Sequence, residues 1–195
     1  TLLLPGGMHT GLVVPARAET IDEGLAVTYA VYQAAAELIH EKYAMRLLRA
    51  DEGGLAPPAK SAEKLLQDAV QAILAAHLQP GRDVMLAVDV ASSHFYDKGR
   101  YQLNEQSLDS AGMIGTLRQW VDRYPIVSVE DGLAEDDWSN WPALREAICG
   151  KAIVVGDDFL CTNPDRIKRA IDAKAASTLL LKVNQIGTLT EAADA

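Results

Sequence analysis

Cysteine is nearly missing from this chain: there are two, Cys149 and Cys161, too far apart for a CxxC pair and too few for a disulfide-stapled secreted scaffold. That favours a reducing, cytoplasmic setting. Positive charge is also scarce, with 18 Lys and Arg against 27 Asp and Glu, a formal net charge of -9 and no basic cluster. The balance argues against non-specific binding to nucleic acid or an acidic membrane, although a bound divalent cation can reverse the local sign for a small anion. No apolar run reaches the roughly 18 residues that span a bilayer, and the first ten residues lack the basic region and cleavage site of a signal peptide. Fixed-period repeats and low-complexity linkers are absent too. The chain opens at Thr1 without an initiator Met and stops at Ala195 inside an expected helix, so truncation at both ends is the expectation.

What is present suffices for a core: 195 residues, 49% hydrophobic and 23% charged, as in ordinary globular domains. A strand is expected at Leu2–Leu4. Asp22 is placed to cap a helix from about Glu23 to Lys42, with Leu25, Val31, Ala35, Leu38 and Ile39 near helical spacing. A loop of Gly and Pro follows, Asp51-Glu-Gly-Gly-Leu-Ala-Pro-Pro58. Ser61 opens an amphipathic helix through Leu65, Leu66, Ala69, Ile73 and Leu74, ending near Pro80-Gly81. From there strands and helices alternate: strand Val84–Asp89, a polar excursion with a tight turn at Lys98-Gly99, helix Ser110–Arg123, strand Ile126–Glu130, helix Trp138–Ile148, strand Ala152–Val155, helix Pro164–Ala173 and strand Thr178–Val183. Alternation at this interval predicts right-handed βαβ units and a parallel sheet, an α/β fold of the barrel type.

The chemistry gathers where those strands end. Asp89, Glu130 and Asp157 each follow a short apolar run, so carboxylates from three consecutive strands would converge from one direction on a cation such as Mg²⁺, which prefers oxygen ligands. The plainer alternative is that each acid caps the helix or turn after its strand. Lys182, inside Leu-Leu-Leu-Lys-Val, is expected to be buried or barrel-facing. Burial would lower its pKa toward that of a usable base, while pairing with one of the acids is the competing role. Glu52, beside Gly53 and Gly54, sits where a covering loop could carry a general acid, or is an exposed turn acid. Asp131 and Asp158 point to the opposite face of an ideal strand, with partnership to Lys182 or a metal left open. Trp120, Trp138 and Trp141 read as packing anchors, and Glu135-Asp136-Asp137 as a solvated helix entrance.

Five segments together resemble enolase, in that family's order: Asp51-Glu-Gly-Gly-Leu-Ala-Pro57, Val88-Asp-Val-Ala-Ser-Ser93 with Phe95-Tyr96, Ser128-Val-Glu-Asp-Gly-Leu-Ala-Glu-Asp-Asp-Trp138, Val155-Gly-Asp-Asp158 with Thr162-Asn-Pro164, and Leu179-Leu-Leu-Lys-Val-Asn-Gln-Ile-Gly187. The resemblance implies an incomplete TIM-type β/α barrel of ββαα(βα)₆ order over 1–195, without the family's N-terminal domain and last barrel strands. It further implies reversible, Mg²⁺-dependent dehydration of 2-phosphoglycerate to phosphoenolpyruvate. By motif position Asp89, Glu130 and Asp157 match metal ligands, Lys182 the base that takes the C2 proton, and Glu52 the acid that assists loss of the C3 hydroxyl. Enolase-type pairing of metal with a lysine base is itself a known pattern. Pro5-Gly-Gly-Met-His9 is similar to the family's Asn-Gly-Gly-x-His loop, which makes His9 a substrate-contact candidate against a surface-loop histidine. The Gln-Glu stretch expected next is missing, as is the later segment that holds substrate phosphate.

The resemblance also implies a small phosphorylated acid as partner and a homo-oligomer when complete. With open barrel edges, the segment alone is expected to be poorly stable and nearly inactive. Two other readings compete with it: a degenerate enolase-like binding or scaffold protein, and another metal-dependent superfamily lyase or racemase. Retention of all three acids and the lysine weighs against the first, and the Leu-Leu-Leu-Lys-Val-Asn-Gln-Ile-Gly run against the second.

Overall fold

The structure, a computed structural model, describes residues 2–3, 10–44, 49 and 53–195. Chain order begins with β1 (Leu2–Leu3), β2 (Thr10–Pro15), α1 (Ile21–Tyr43), α2 (Ala62–Ala75) and β3 (Val84–Asp89). An excursion follows, a 3₁₀ turn at Ser92–Phe95 and three short strands, β4 (Tyr96–Asp97), β5 (Arg100–Leu103) and β6 (Gln106–Leu108). Then come α3 (Ser110–Arg123), β7 (Ile126–Glu130), α4 (Trp141–Ala147), β8 (Ile153–Gly156), α5 (Pro164–Ala173), β9 (Thr178–Leu179), α6 (Val183–Ile186) and α7 (Leu189–Asp194). Setting the excursion aside, the order through β9 is ββαα followed by βα repeats, as the resemblance implies. The main sheet runs β1-β2-β3-β7-β8-β9. Its first two pairings are antiparallel and the rest parallel.

Local chemistry explains most element boundaries. The N-cap of α1 is Thr20, not Asp22: its hydroxyl accepts from the Glu23 N–H at 3.2 Å, and the Glu23 carboxylate reaches back to the Glu19 N–H at 2.8 Å. Ser61 caps α2 through the Lys64 N–H, and Asp109 caps α3 through the Gly112 N–H. Asn163 caps α5 ahead of Pro164, whose missing N–H costs nothing in a first turn. The Lys98-Gly99 turn forms as expected, both residues at positive φ.

Several elements differ from expectation, among them α2, which ends at Ala75 rather than near Pro80-Gly81. Strand β2 has no strong signal of its own, holding Gly11 and ending on Pro15, and exists because all six residues pair with β3. Helix α4 starts at Trp141 rather than Trp138, because Asp137 turns the chain ahead of it. Asp137 is buried, not solvated: Tyr101 and Ser110 hydroxyls donate to its Oδ2 at 2.8 and 2.6 Å, and the Asn140 amide to its Oδ1 at 2.6 Å. Strand β9 stops at Leu179, and the chain is already turning into α6 after Lys182.

The core lies between the sheet and its helices. Leu86 and Val88 of β3, Val129 of β7 and Val154 of β8 are buried with Leu65, Ile73, Leu117 and Leu144 from the helices. The expected packing role of the tryptophans holds: Trp141 stacks on Phe159 with centroids 3.7 Å apart, Trp138 lies 4.3 Å from the same ring, and Trp120 is buried. Each core-facing Val88, Val129 and Gly156 is followed directly by an acid. Strand alternation therefore turns Asp89 and Glu130 to the face away from the helix core, and Asp157 follows the same pattern just past β8.

Candidate functional site

Sheet register decides which acids meet. Asp89 pairs with Glu130 across β3 and β7, Glu130 with Val155 across β7 and β8, and Asp157 stands two residues beyond Val155 on the same side. Leu180 donates its N–H to the Gly156 carbonyl at 3.0 Å, which extends the β9 path past its last strand residue and brings Lys182 round to that side. Asp89, Glu130, Asp157 and Lys182 consequently line one open cleft, with Thr10 and His94. Glu52 and His9 lie outside the described residues.

Asp157 is the most enclosed of the three predicted metal acids, at 9% exposed. Lys182 Nζ donates to its Oδ2, and the Gln185 amide donates to its Oδ1 at 2.8 Å and to Asp158 Oδ1 at 3.2 Å. The Thr162 hydroxyl completes this circuit. It accepts from the Lys182 backbone N–H at 2.8 Å and donates to the Gln185 side-chain Oε1 at 3.2 Å. Thr162 and Gln185 carried no signal as isolated residues. For Gln185 the clue was spacing, since one helical turn beyond Lys182 returns a side chain to the same side.

Charge in the cleft is one-sided. Asp89, Glu130, Asp131, Asp157 and Asp158 face it, and among the described residues lining it Lys182 is the only lysine or arginine. Burial, then the negative charges of Asp89, Asp157 and Asp131, push the Glu130 carboxyl up to about 7. For Lys182 the structure shows the second of the two expected roles, pairing with an acid. Burial works to lower its pKa, but the hydrogen bond and charge of Asp157, aided by Glu130 and Asp158, outweigh burial and raise it above the ordinary lysine value. Without a cation the amine is a salt-bridge partner, held protonated.

The donor set suits a hard divalent cation, being all oxygen and short of positive charge. Asp131, Asp157 and Asp158 also bring one oxygen each within 4.8 Å of one another. Asp131 is the poorer ligand, because its oxygens accept backbone N–H groups that cannot swing away, from Asp157 at 2.9 Å and Asp158 at 2.8 Å, whereas the partners of the Asp157 oxygens are the side chains of Lys182 and Gln185.

Comparison with known proteins gives this geometry a family. The family described as "Enolase, C-terminal TIM barrel domain" matches residues 6–195. An enolase of Aeropyrum pernix is 38% identical over 202 residues, covering 99% of this chain and 47% of that protein. The chain thus spans about half the length of the curated relative it matches. With a match running from before β2 through the last helix, this chain belongs to the enolase family, within its C-terminal TIM barrel domain.

Proposed function

We propose that this chain carries the metal-binding and proton-abstracting part of an enolase site, for reversible dehydration of 2-phosphoglycerate to phosphoenolpyruvate. The observation that supports it is the convergence of Asp89, Glu130, Asp157 and Lys182 on one cleft at the C-terminal ends of neighbouring strands, where barrel enzymes keep their active sites. Asp89, Glu130 and Asp157 would hold Mg²⁺. The ion, when bound, supplies positive charge for the dianion that develops on the substrate carboxylate and offsets the acids that keep Lys182 protonated.

In the forward direction Lys182 takes the proton as the C2–H bond breaks. The C3–O bond then breaks, and Glu52 gives its proton to the departing hydroxyl, which leaves as water. Thr162 and Gln185 do no chemistry themselves. They orient Lys182 and Asp157, through the Lys182 backbone N–H and the Asp157 carboxylate. The setting proposed for this activity is the cytoplasm, with assembly into a homo-oligomer. No helix among the described residues is long and apolar enough to cross a membrane.

The test is Mg²⁺-dependent exchange of the C2 proton with deuterated solvent, followed by NMR on the purified chain, alongside its melting temperature. The expected result is slow exchange that requires both Mg²⁺ and Lys182, with a rise in melting temperature on adding Mg²⁺. No exchange together with no Mg²⁺-dependent rise would sink the reading.

A further inference from the structure

The residue that follows Glu130 departs from the strand pattern. Asp131 has φ +42°, a left-handed backbone unusual for a non-glycine residue, and is 6% exposed. That backbone lets one residue reach the ends of three strands. Its N–H donates to the Val155 carbonyl of β8 at 3.1 Å, and its carbonyl accepts from the Ser92 N–H beyond β3 at 3.1 Å. The carboxylate makes the two bonds to the Asp157 and Asp158 N–H groups described above. Just beside it the Val90 N–H donates to the Glu130 carbonyl at 2.9 Å.

Strand pairing ends on β8 at Val155 toward β7 and at Gly156 toward β9, so Asp157 has no strand partner to hold it level with Glu130. A carboxylate that accepts two N–H groups, one on each oxygen, supplies that hold, since charge-assisted hydrogen bonds are the stronger kind. Both oxygens are thereby tied to backbone that cannot move aside, which sets Asp131 apart from Asp157, whose partners are side chains.

We propose that Asp131 is a positioning residue: it clamps the first two residues after β8 so that the Asp157 carboxylate stands beside Glu130 and Asp89, and it binds no cation itself. This rests on the reading of those three acids as a divalent-cation site. Groups that orient a metal ligand from outside the coordination sphere typically cost 10- to 100-fold in metal affinity when changed.

The experiment is calorimetric titration of the full chain with Mg²⁺, combined with hydrogen exchange at the Asp157 and Asp158 amides. It compares wild type, Asp131→Asn and Asp68→Asn. Asp68 is a similarly buried aspartate, 3% exposed, that joins α1 to α2 away from the cleft. The expected result is faster exchange at those two amides and roughly 10- to 100-fold weaker Mg²⁺ binding in D131N, with D68N less stable but unchanged in affinity.

Unchanged affinity in D131N despite faster exchange would overturn the proposal, leaving the clamp purely structural. Equal loss in D68N would overturn it as well, by tracing the effect to general destabilisation. Weakened binding with unchanged amide exchange would make Asp131 a ligand instead. If D131N does not fold, Asp131→Glu keeps the charge and displaces the carboxylate by one methylene, with the same outcomes read. A wild-type chain that binds no Mg²⁺ would bring down the cation site and the proposal with it, whereas wild-type binding matched by D131N removes the proposal alone.

Discussion

Asp68 and Asp157 are both buried aspartates, 3% and 9% exposed, and each is paired with a lysine, yet their surroundings are opposite in sign. Around Asp68 the charges close. Lys42 bonds one oxygen, Lys64 Nζ lies 3.5 Å from the same oxygen, and the Tyr43 hydroxyl donates to the other at 2.6 Å. Burial and that bond to Asp68 push the Tyr43 hydroxyl up to about 12. Among the described residues around Asp157 the acids outnumber the cations, and burial together with those acids raises Glu130 to about 7. The first arrangement is complete as it stands and fastens α1 to α2. The second gathers like charge that a cation could offset, the arrangement on which the proposed metal site rests.

Replacing the two lysines is the strongest way to break this contrast. Lys182→Met is expected to lower C2 proton exchange by about 10²- to 10⁴-fold, the range for losing a general base, while Lys42→Met lowers only the melting temperature. Equal behaviour of the two variants, followed by NMR exchange and thermal melts, would make Lys182 an ordinary structural partner. Gly156→Ala probes packing beside the cleft. An added Cβ would lie 2.6 Å from Leu160 Cγ and 2.8 Å from Leu160 Cδ1, so an overpacking loss of about 1–3 kcal/mol in urea unfolding is expected. Weakened Mg²⁺ binding should accompany it, because Gly156 directly precedes Asp157.

Asp68→Ala is expected to cost about 1–3 kcal/mol by denaturant unfolding, for the Tyr43 hydroxyl left without its acceptor. The Mg²⁺-induced rise in melting temperature should remain. The smallest effect sharpens the contrast through pH. Burial and neighbouring acids raise Glu130 to about 7, and burial raises Asp131 to about 6. An acid whose pKa is higher in the folded state contributes stability that is full below the unfolded value and is lost as pH rises through the folded one. Metal-free protein should therefore melt at falling temperature from about pH 5 to 8, less steeply in Glu130→Gln. Mg²⁺ should flatten the slope, since it competes with protons for the same oxygens, and thermal melts with chelator and with Mg²⁺ check this.

By itself the sequence determined the elements whose signals are local. Strands Val84–Asp89 and Ile126–Glu130 and helices Ser110–Arg123 and Pro164–Ala173 fall where periodicity and caps put them. The apolar-then-acid order of each strand likewise dictates that the acids turn away from the helix core, because side chains alternate along a strand. Tertiary structure alone decided the rest. Strand β2 exists through its pairing with β3, and Asp137 is buried because Tyr101 and Ser110 arrive from elsewhere in the chain. Asp131 became a clamp through contacts with β3 and β8. The direction of the Lys182 shift depended on Asp157, which lies 25 residues away in the chain but in hydrogen-bond contact. Charges act through space, and sequence distance carries no information about that until the sheet has set its register.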